Sequence, residues 1–465
     1  MLDTRPYIFV SPRMMARVDE WPPAPEGMVT KRTSYGHHAF WAAQISYIPA
    51  ISLSDVDAHL FGADANSRIS WLLNRQIRFL YNLAEITNNS STFELRYIAD
   101  PRPGMEARVG IALLGKTFHD DPGTAERLAL AQWERVSAFF PTEAPYSYPL
   151  LPATLPLDPP GTPAWERAGF FHWFTPIPDE EIVAGNYGLV EIRKFEDWPV
   201  YHVGIHDVDY IPHQFVPPVE YTGMVRLLEA LSRQSRTACV AITLRPQRLA
   251  PSERIEIARF ADYYARADAG LVERASSLSG PRSSAVPKGY EAYFQQRASR
   301  GKRVYQQLNE QADALFLLSI RVMAEQSMAP ALTEAMGAEL IANAAGASPS
   351  HYAAMTPEDA AEAEWARFNF RWLEMERWGV SREVVRHHHL ARLRFFATPQ
   401  EAVAAFRLPT APPGASLAGV RVANEPFVAI PTELPAPDDA IGFGQVTQAG
   451  VPQGVKYRLP RRSLA

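Results

Sequence analysis

The stretch from residue 91 to 140 constrains the fold most. It reads "STFELRYIAD", "PRPG", "ARVGIALLGKTF" and, after a short polar break, "GTAERLALAQWERVSAFF". In the first run Phe93, Leu95 and Tyr97 alternate with polar residues, the period of a strand with one face turned inward. Pro and Gly then mark a turn, and the third run reads as a second strand. In the fourth, Leu128, Trp133, Val136 and Phe140 fall among the apolar positions of an amphipathic helix. Strands followed by such a helix bury their apolar sides by laying the helix on one face of a sheet, which is an α+β arrangement.

The same pattern recurs along the chain without a fixed period, so a solenoid is not expected. Residues 1–34 read as an irregular, Pro-rich N-terminal arm. Block 35–165 holds a strand ("HHAFWAAQISYIPAI"), a helix ("SRISWLLNRQIRFLYNLAEIT"), the stretch above and a Pro-rich linker over 141–165. Block 166–275 offers two strands in "YGLVEIRKFEDWPVYHVGIHDVDY", then a helix, the strand "RTACVAITLRPQRL" and the helix "PSERIEIARFADYYARADAGL". Block 276–406 follows a small, charged break at 275–288. It holds a long helix from Tyr290, the strand "ADALFLLSIRVMAE", a helix from Ala329, a strand "ARFNFRWLEMER" and a short helix "TPQEAVAAF". In that helix Thr398 can cap, Pro399 suits the first turn and Glu401 completes a capping box. Residues 407–465 form a Pro/Gly-rich, β-like C-terminal segment. The expectation is a multi-domain α+β chain of successive α/β sandwich blocks with mixed or antiparallel sheets.

"GIALLGKT", residues 110–117, carries the letters of a phosphate-binding loop. Such a loop needs small, flexible residues whose N–H groups turn around the phosphates, and a helix that begins at the Lys. Here Ile111, Ala112, Leu113 and Leu114 are apolar. Asp120 and Asp121 place negative charge where phosphates belong, and Pro122-Gly123 breaks a helix begun at Lys116. No apolar strand ends in the acidic residue that would hold magnesium. Lys116 and Thr117 are therefore set aside as cofactor ligands, and the run is read as a strand leaving its sheet at Gly115-Lys116, with a helix starting near Thr124. No cofactor is expected.

Other chemistry is sparse. His387 and His389 would share one face of a strand and could hold a metal, but no carboxylate sits at a ligand spacing, so no metal site is assigned to them. His37-His38 is weaker still. "GFGQVTQAG" supplies only Gly442 and Gly444 of a dinucleotide fingerprint and reads as a β-turn. "PEDAAEAEWARF" reads as the acidic first turns of a helix. No catalytic residue is assigned.

Net charge is −5, which argues against a freestanding nucleic-acid binder. Of 46 basic residues only six are Lys, a bias that fits a GC-rich gene better than a selection of Arg for phosphate or carboxylate forks. The single cysteine, Cys239, lies in an apolar run and reads as a small buried hydrophobe. The first residues lack a basic segment followed by an apolar one, and no apolar run approaches a membrane span. A cytoplasmic protein is expected.

The C-terminal third resembles a known family. "FRLP" (Phe406–Pro409) and "FVAIPTELPAPDDAIGFGQVTQAGVPQGVKYRLPRRSLA" look like the region upstream of the motor in HerA/FtsK-like ATPases of conjugation and type IV secretion. The strand–turn–strand–helix from Phe93 and the helix–strand from Arg303 resemble the accessory, non-motor part of those proteins. The family's phosphate-loop Lys, magnesium Asp and sensor residues have no counterparts here. The resemblance implies a non-catalytic assembly subunit that docks a separately encoded P-loop ATPase, in a naturally split gene or as a piece of a longer protein. A homo- or hetero-oligomeric ring, indirect contact with DNA and a peripheral place at the inner face of a membrane would follow. The competing expectation is an independent metal-dependent hydrolase or nuclease built on the His387–His389 region.

Overall fold

The computed structural model describes residues 6–12, 36–51, 65–86, 91–142, 146–153, 169–197, 211–216, 223–270, 290–341, 352–379, 392–412, 416–423, 440–448 and 451–460. The chain is α+β, and its elements are numbered in chain order. The centre is a ten-stranded sheet. It runs β1 (Phe9–Pro12), β2 (His37–Ile45), β5 (Met105–His119), β4 (Thr92–Arg102), β10 (Ala238–Gln247), β11 (Leu315–Glu325), β7 (Tyr187–Lys194) and β12 (Tyr352–Met355). β6 (Leu150–Pro152) also pairs with β2, and β13 (Phe396–Ala397) with β11. Every pairing in this sheet is antiparallel. Strands from all three sequence blocks therefore join one sheet, rather than each block closing a sandwich of its own.

One face of the sheet is apolar throughout. Ala39, Trp41 and Ala43 on β2 line up with Leu113, Phe93, Leu95, Ile242, Ile320 and Ile192 on the strands beyond. Five helices cover it: α1 (Ala65–Ala84), α2 (Pro122–Phe139), α5 (Val225–Ser232), α8 (Ala329–Ile341) and α10 (Pro399–Ala405). Each offers a row of buried residues at helical spacing, such as Ala125, Ala129, Trp133 and Val136 on α2. At one end α6 (Pro251–Asp268) packs on α7 (Tyr290–Glu310) through stacked rings, Tyr264 lying 5.5 Å from Tyr305 and Phe260 5.0 Å from it.

The opposite face is half aromatic and half charged. Short α3 (Phe170–Phe174) and α9 (Ala360–Trp372) set Phe170, Trp173, Phe174 and Phe370 against Phe40, Ile98, Leu114 and Met323. Outside the sheet, α4 (Asp179–Val183) precedes β7, while β8 (Glu196–Asp197) pairs with β9 (Ile211–Pro212) and β3 (Ile48–Pro49) with β14 (Val422–Ala423).

Several local expectations change. "ARFNFRWLEMER" is no strand: α9 runs through Trp372 and ends at Leu373, a left-handed C-cap with φ 51°. Its alternation of aromatics looks strand-like because one helical face and its rim are both aromatic. The N-terminal arm contributes the edge strand β1, and the Pro-rich linker contributes β6, short pieces whose ladder bonds exist only because β2 is there to receive them. "GFGQVT" lies within β15 (Ala440–Gln448), not in a turn. The break at 275–288 and the histidines at 387–389 lie outside the described residues.

Candidate functional site

The octet 110–117 sits in the middle of β5, which does not leave the sheet at Gly115-Lys116. It continues in register to His119, with Lys116 opposite Phe40 on one side and Thr92 on the other. The helix after it begins at Pro122, because the Asp121 carboxylate accepts from Thr124 N at 2.7 Å and caps it. Gly115 is small because Trp41 occupies its face: a Cβ there would lie 2.0 Å from the indole. That indole donates to Gln132 Oε1 at 2.7 Å. Thr117 Oγ1 donates to Ala125 O at 2.9 Å, tying strand to helix.

Lys116 points to the charged face. Its Nζ lies 2.7 Å from Glu374 Oε1 and donates to Trp372 O at 2.8 Å. Arg245 on β10 donates to the other Glu374 oxygen at 2.8 Å, and His38 Nε2 lies 3.8 Å away. Burial alone would raise the Glu374 carboxyl; Lys116, Arg245 and His38 outweigh it and hold the group well below the usual carboxylate range. Glu374 follows the αL cap of α9, so helix termination is what delivers it over the sheet.

A second group continues across the same face. Glu94 and Arg96 on β4, read from sequence as the polar side of a half-exposed strand, are fully buried. Arg96 donates to Glu94, to Trp173 O and Phe174 O at 2.8 Å each, and to Phe370 O. It also lies 4.5 Å from the centre of the Phe370 ring. Thr243 on β10 donates to Glu94 Oε2 at 2.5 Å and accepts from Arg321 on β11 at 2.6 Å. Arg321 donates to Ser319, Ser319 to Glu191 on β7, and Arg193 to Glu191 and to Trp378 O. Burial lowers the Arg321 guanidinium from its ordinary value, against the pull of Glu94 and Glu191. The line thus runs from β2 to β7 and ties the sheet to backbone carbonyls of α3 and of residues 370–378.

These carboxylates already accept from cations and hydroxyls, so the layer acts as a set of counter-ions fixing what lies over the sheet. Sequence gave little warning of it. The alternation in β4 marked Glu94 and Arg96 as one side of a strand, but nothing marked Glu374, Arg245 or Glu191 as their neighbours. Among the described residues no group of three or more His, Cys, Asp or Glu could hold a metal ion. None of their helices is long and apolar enough to cross a membrane. Cys239 is fully buried on the same face, and burial pushes its thiol up to about 12.

Within the family-like C-terminal sequence, residues 440–448 and 451–460 form a strand pair. β15 pairs antiparallel with β16 (Val451–Pro460), with register shifts between Gly442 and Gly444 and between Gln445 and Thr447. The two strands make a sheet of their own and pair with no strand of the ten-stranded sheet. No protein-family model matches the chain, and no curated protein matches it.

Proposed function

We propose that this chain is a non-catalytic assembly subunit, equivalent to the N-terminal region of a HerA/FtsK-like DNA-translocating ATPase. Its C-terminal segment docks a separately encoded P-loop motor, in a secretion, conjugation or phage-defence machine. The observation that carries the reading is the strand pair β15–β16, which lies within the family-like sequence and forms a separate two-stranded sheet. Among the described residues each strand of the pair has one unpaired backbone edge, where a partner can add a strand. The charged layer supports the same reading. It commits Lys116, Glu374, Glu94 and Arg96 to one another as buried ion pairs, which fits a structural role for these groups.

The test is co-expression with a P-loop ATPase encoded beside this gene, followed by purification and measurement of the complex mass. A stoichiometric complex that is lost on deleting residues 440–465, with the unfolding midpoint of the body unchanged, is the expected result. A chain that stays monomeric and leaves the ATPase behind ends the proposal.

A further inference from the structure

β2 pairs with β5 only as far as Ile45 opposite Ile111, so the first residues of β5 lack it as a neighbour. Residues 417–421 take the vacated edge. Val109 N donates to Gly419 O at 2.8 Å, and Ile48 N donates to Arg421 O at 2.9 Å. Gly419 has φ +72°, and a Cβ there would lie 2.7 Å from Ala107 O and from Val109 Cγ2, so only glycine allows this approach. Between the end of β2, the start of β5 and this segment lies a cleft of about 270 Å³.

Its lining brings together three arginines from three elements: Arg102 at the end of β4, Arg108 on β5 and Arg421 before β14. Arg102 Nε is tied to Glu106 O at 2.9 Å, which fixes that side chain. Asp100 lies opposite Arg108 in the strand register, and its Oδ2 lies 3.4 Å from His172 Nε2. Burial lowers the Arg108 guanidinium from its ordinary value; Arg421 and Arg102 lower it too, and Asp100 opposes them. Three guanidinium groups from three elements bring fixed positive charge to one cleft, and a guanidinium fork matches phosphate oxygens two at a time.

We propose that this cleft binds a small phosphate-bearing ligand, its oxyanion held by Arg102, Arg108 and Arg421. The size fits. At roughly 30 Å³ per water the cleft equals about nine waters, room for a phosphate or pyrophosphate with a short appendage. The proposal is independent of the assembly role, since the cleft lies on the sheet edge and involves no residue of the strand pair β15–β16.

The test is calorimetric titration of the full chain with inorganic pyrophosphate and inorganic phosphate. Saturable one-to-one binding is expected, tighter for pyrophosphate and weakened by added salt. Arg421→Gln and Arg108→Gln should each weaken it about tenfold or more, the scale of a lost charge-assisted contact. Arg127→Gln on α2 should not weaken it at all. Arg421 is exposed, so its variant tests the site even if Arg108→Gln disturbs folding. Absence of binding, or binding retained in Arg421→Gln, overturns the proposal. So does an equal loss in Arg127→Gln, which would reveal diffuse surface attraction. A single-stranded oligonucleotide that binds through these arginines while pyrophosphate does not would replace the small ligand by a nucleic-acid backbone, and also overturns it.

Discussion

Lys116 Nζ lies 2.7 Å from Glu374 Oε1, joining the middle of β5 to the residue that follows the cap of α9, with both side chains buried. Removing one member of a buried pair costs about 3–5 kcal/mol, because the other charge is left without compensation. Glu374→Ala is therefore expected to lower the unfolding free energy by that order, since it strands Lys116 and Arg245 together. The double variant Lys116→Met/Glu374→Leu should recover most of the loss, Arg245 being 20% exposed and able to turn to water. Denaturant midpoints decide it; a double variant no better than Glu374→Ala would show that the pair is not the unit.

The same contact sets a pH dependence. The folded Glu374 carboxyl is held below its ordinary value of 4.5, so its contribution is fully present above that value. It is lost as pH falls below 4.5 toward the depressed folded value, because the unfolded chain takes up the proton first. Urea midpoints at pH 7, 4 and 3 should fall more steeply for the native chain than for Glu374→Gln. Parallel curves would mean that Glu374 is not held ionised.

Gly115→Ala tests why the octet contains its second glycine. The added carbon would meet the buried Trp41 ring at 2.0 Å and force it off its bond to Gln132. A loss of about 3 kcal/mol is expected, the upper end for overpacking, with a changed near-ultraviolet circular dichroism. Gly123→Ala is the control. Its Cβ would meet only Asp121 Oδ2 at 3.6 Å, and alanine in a first helical turn stabilises slightly.

Lys116 is committed to Glu374 and Trp372 O inside the sheet. Magnesium-ATP at millimolar concentration is expected to leave the melting temperature of the native chain and of Lys116→Ala unchanged relative to their ligand-free values. A thermal shift present in the native chain and absent in Lys116→Ala would restore the octet as a nucleotide site.

Thr398 and Glu401 separate a cap from a core pair. Thr398 Oγ1 accepts from Glu401 N at 3.2 Å, so Thr398→Ala should cost about 1 kcal/mol. Glu401 does not close the capping box. Its carboxylate accepts from Phe215 N at 3.0 Å and lies 2.7 Å from the buried Lys194 Nζ. Glu401→Ala should cost several times more than Thr398→Ala, on the order of 3–5 kcal/mol; equal losses in denaturation would refute the pairing.

Much of the element order was legible. β4, the turn at Gly104, β5 and α2 follow from alternation, Pro-Gly chemistry and helical spacing, all local properties. α10 was legible down to its cap, for Thr398 and Pro399 act within one turn. The failures share a cause. Phe368, Phe370 and Trp372 alternate as in a strand, yet the Asp359 cap and the preceding alanines already commit the chain to α9. Glu401 fits a capping box by spacing, but Lys194 and Phe215, both distant in sequence, draw its carboxylate away.

Sequence alone determined the α+β class, the positions of most strands and helices, and the doubt over "GIALLGKT", because these rest on neighbours a few residues apart. Tertiary structure decided the single antiparallel sheet in place of separate sandwiches, the burial of Glu94 and Arg96, and the partnership of Lys116 with Glu374 some 258 residues away in the chain. It also brought Arg102, Arg108 and Arg421 to one cleft. A charged residue in a strand carries no mark of whether water or a distant opposite charge will meet it. That depends on which segment is laid over the sheet, and here it is the one that follows α9.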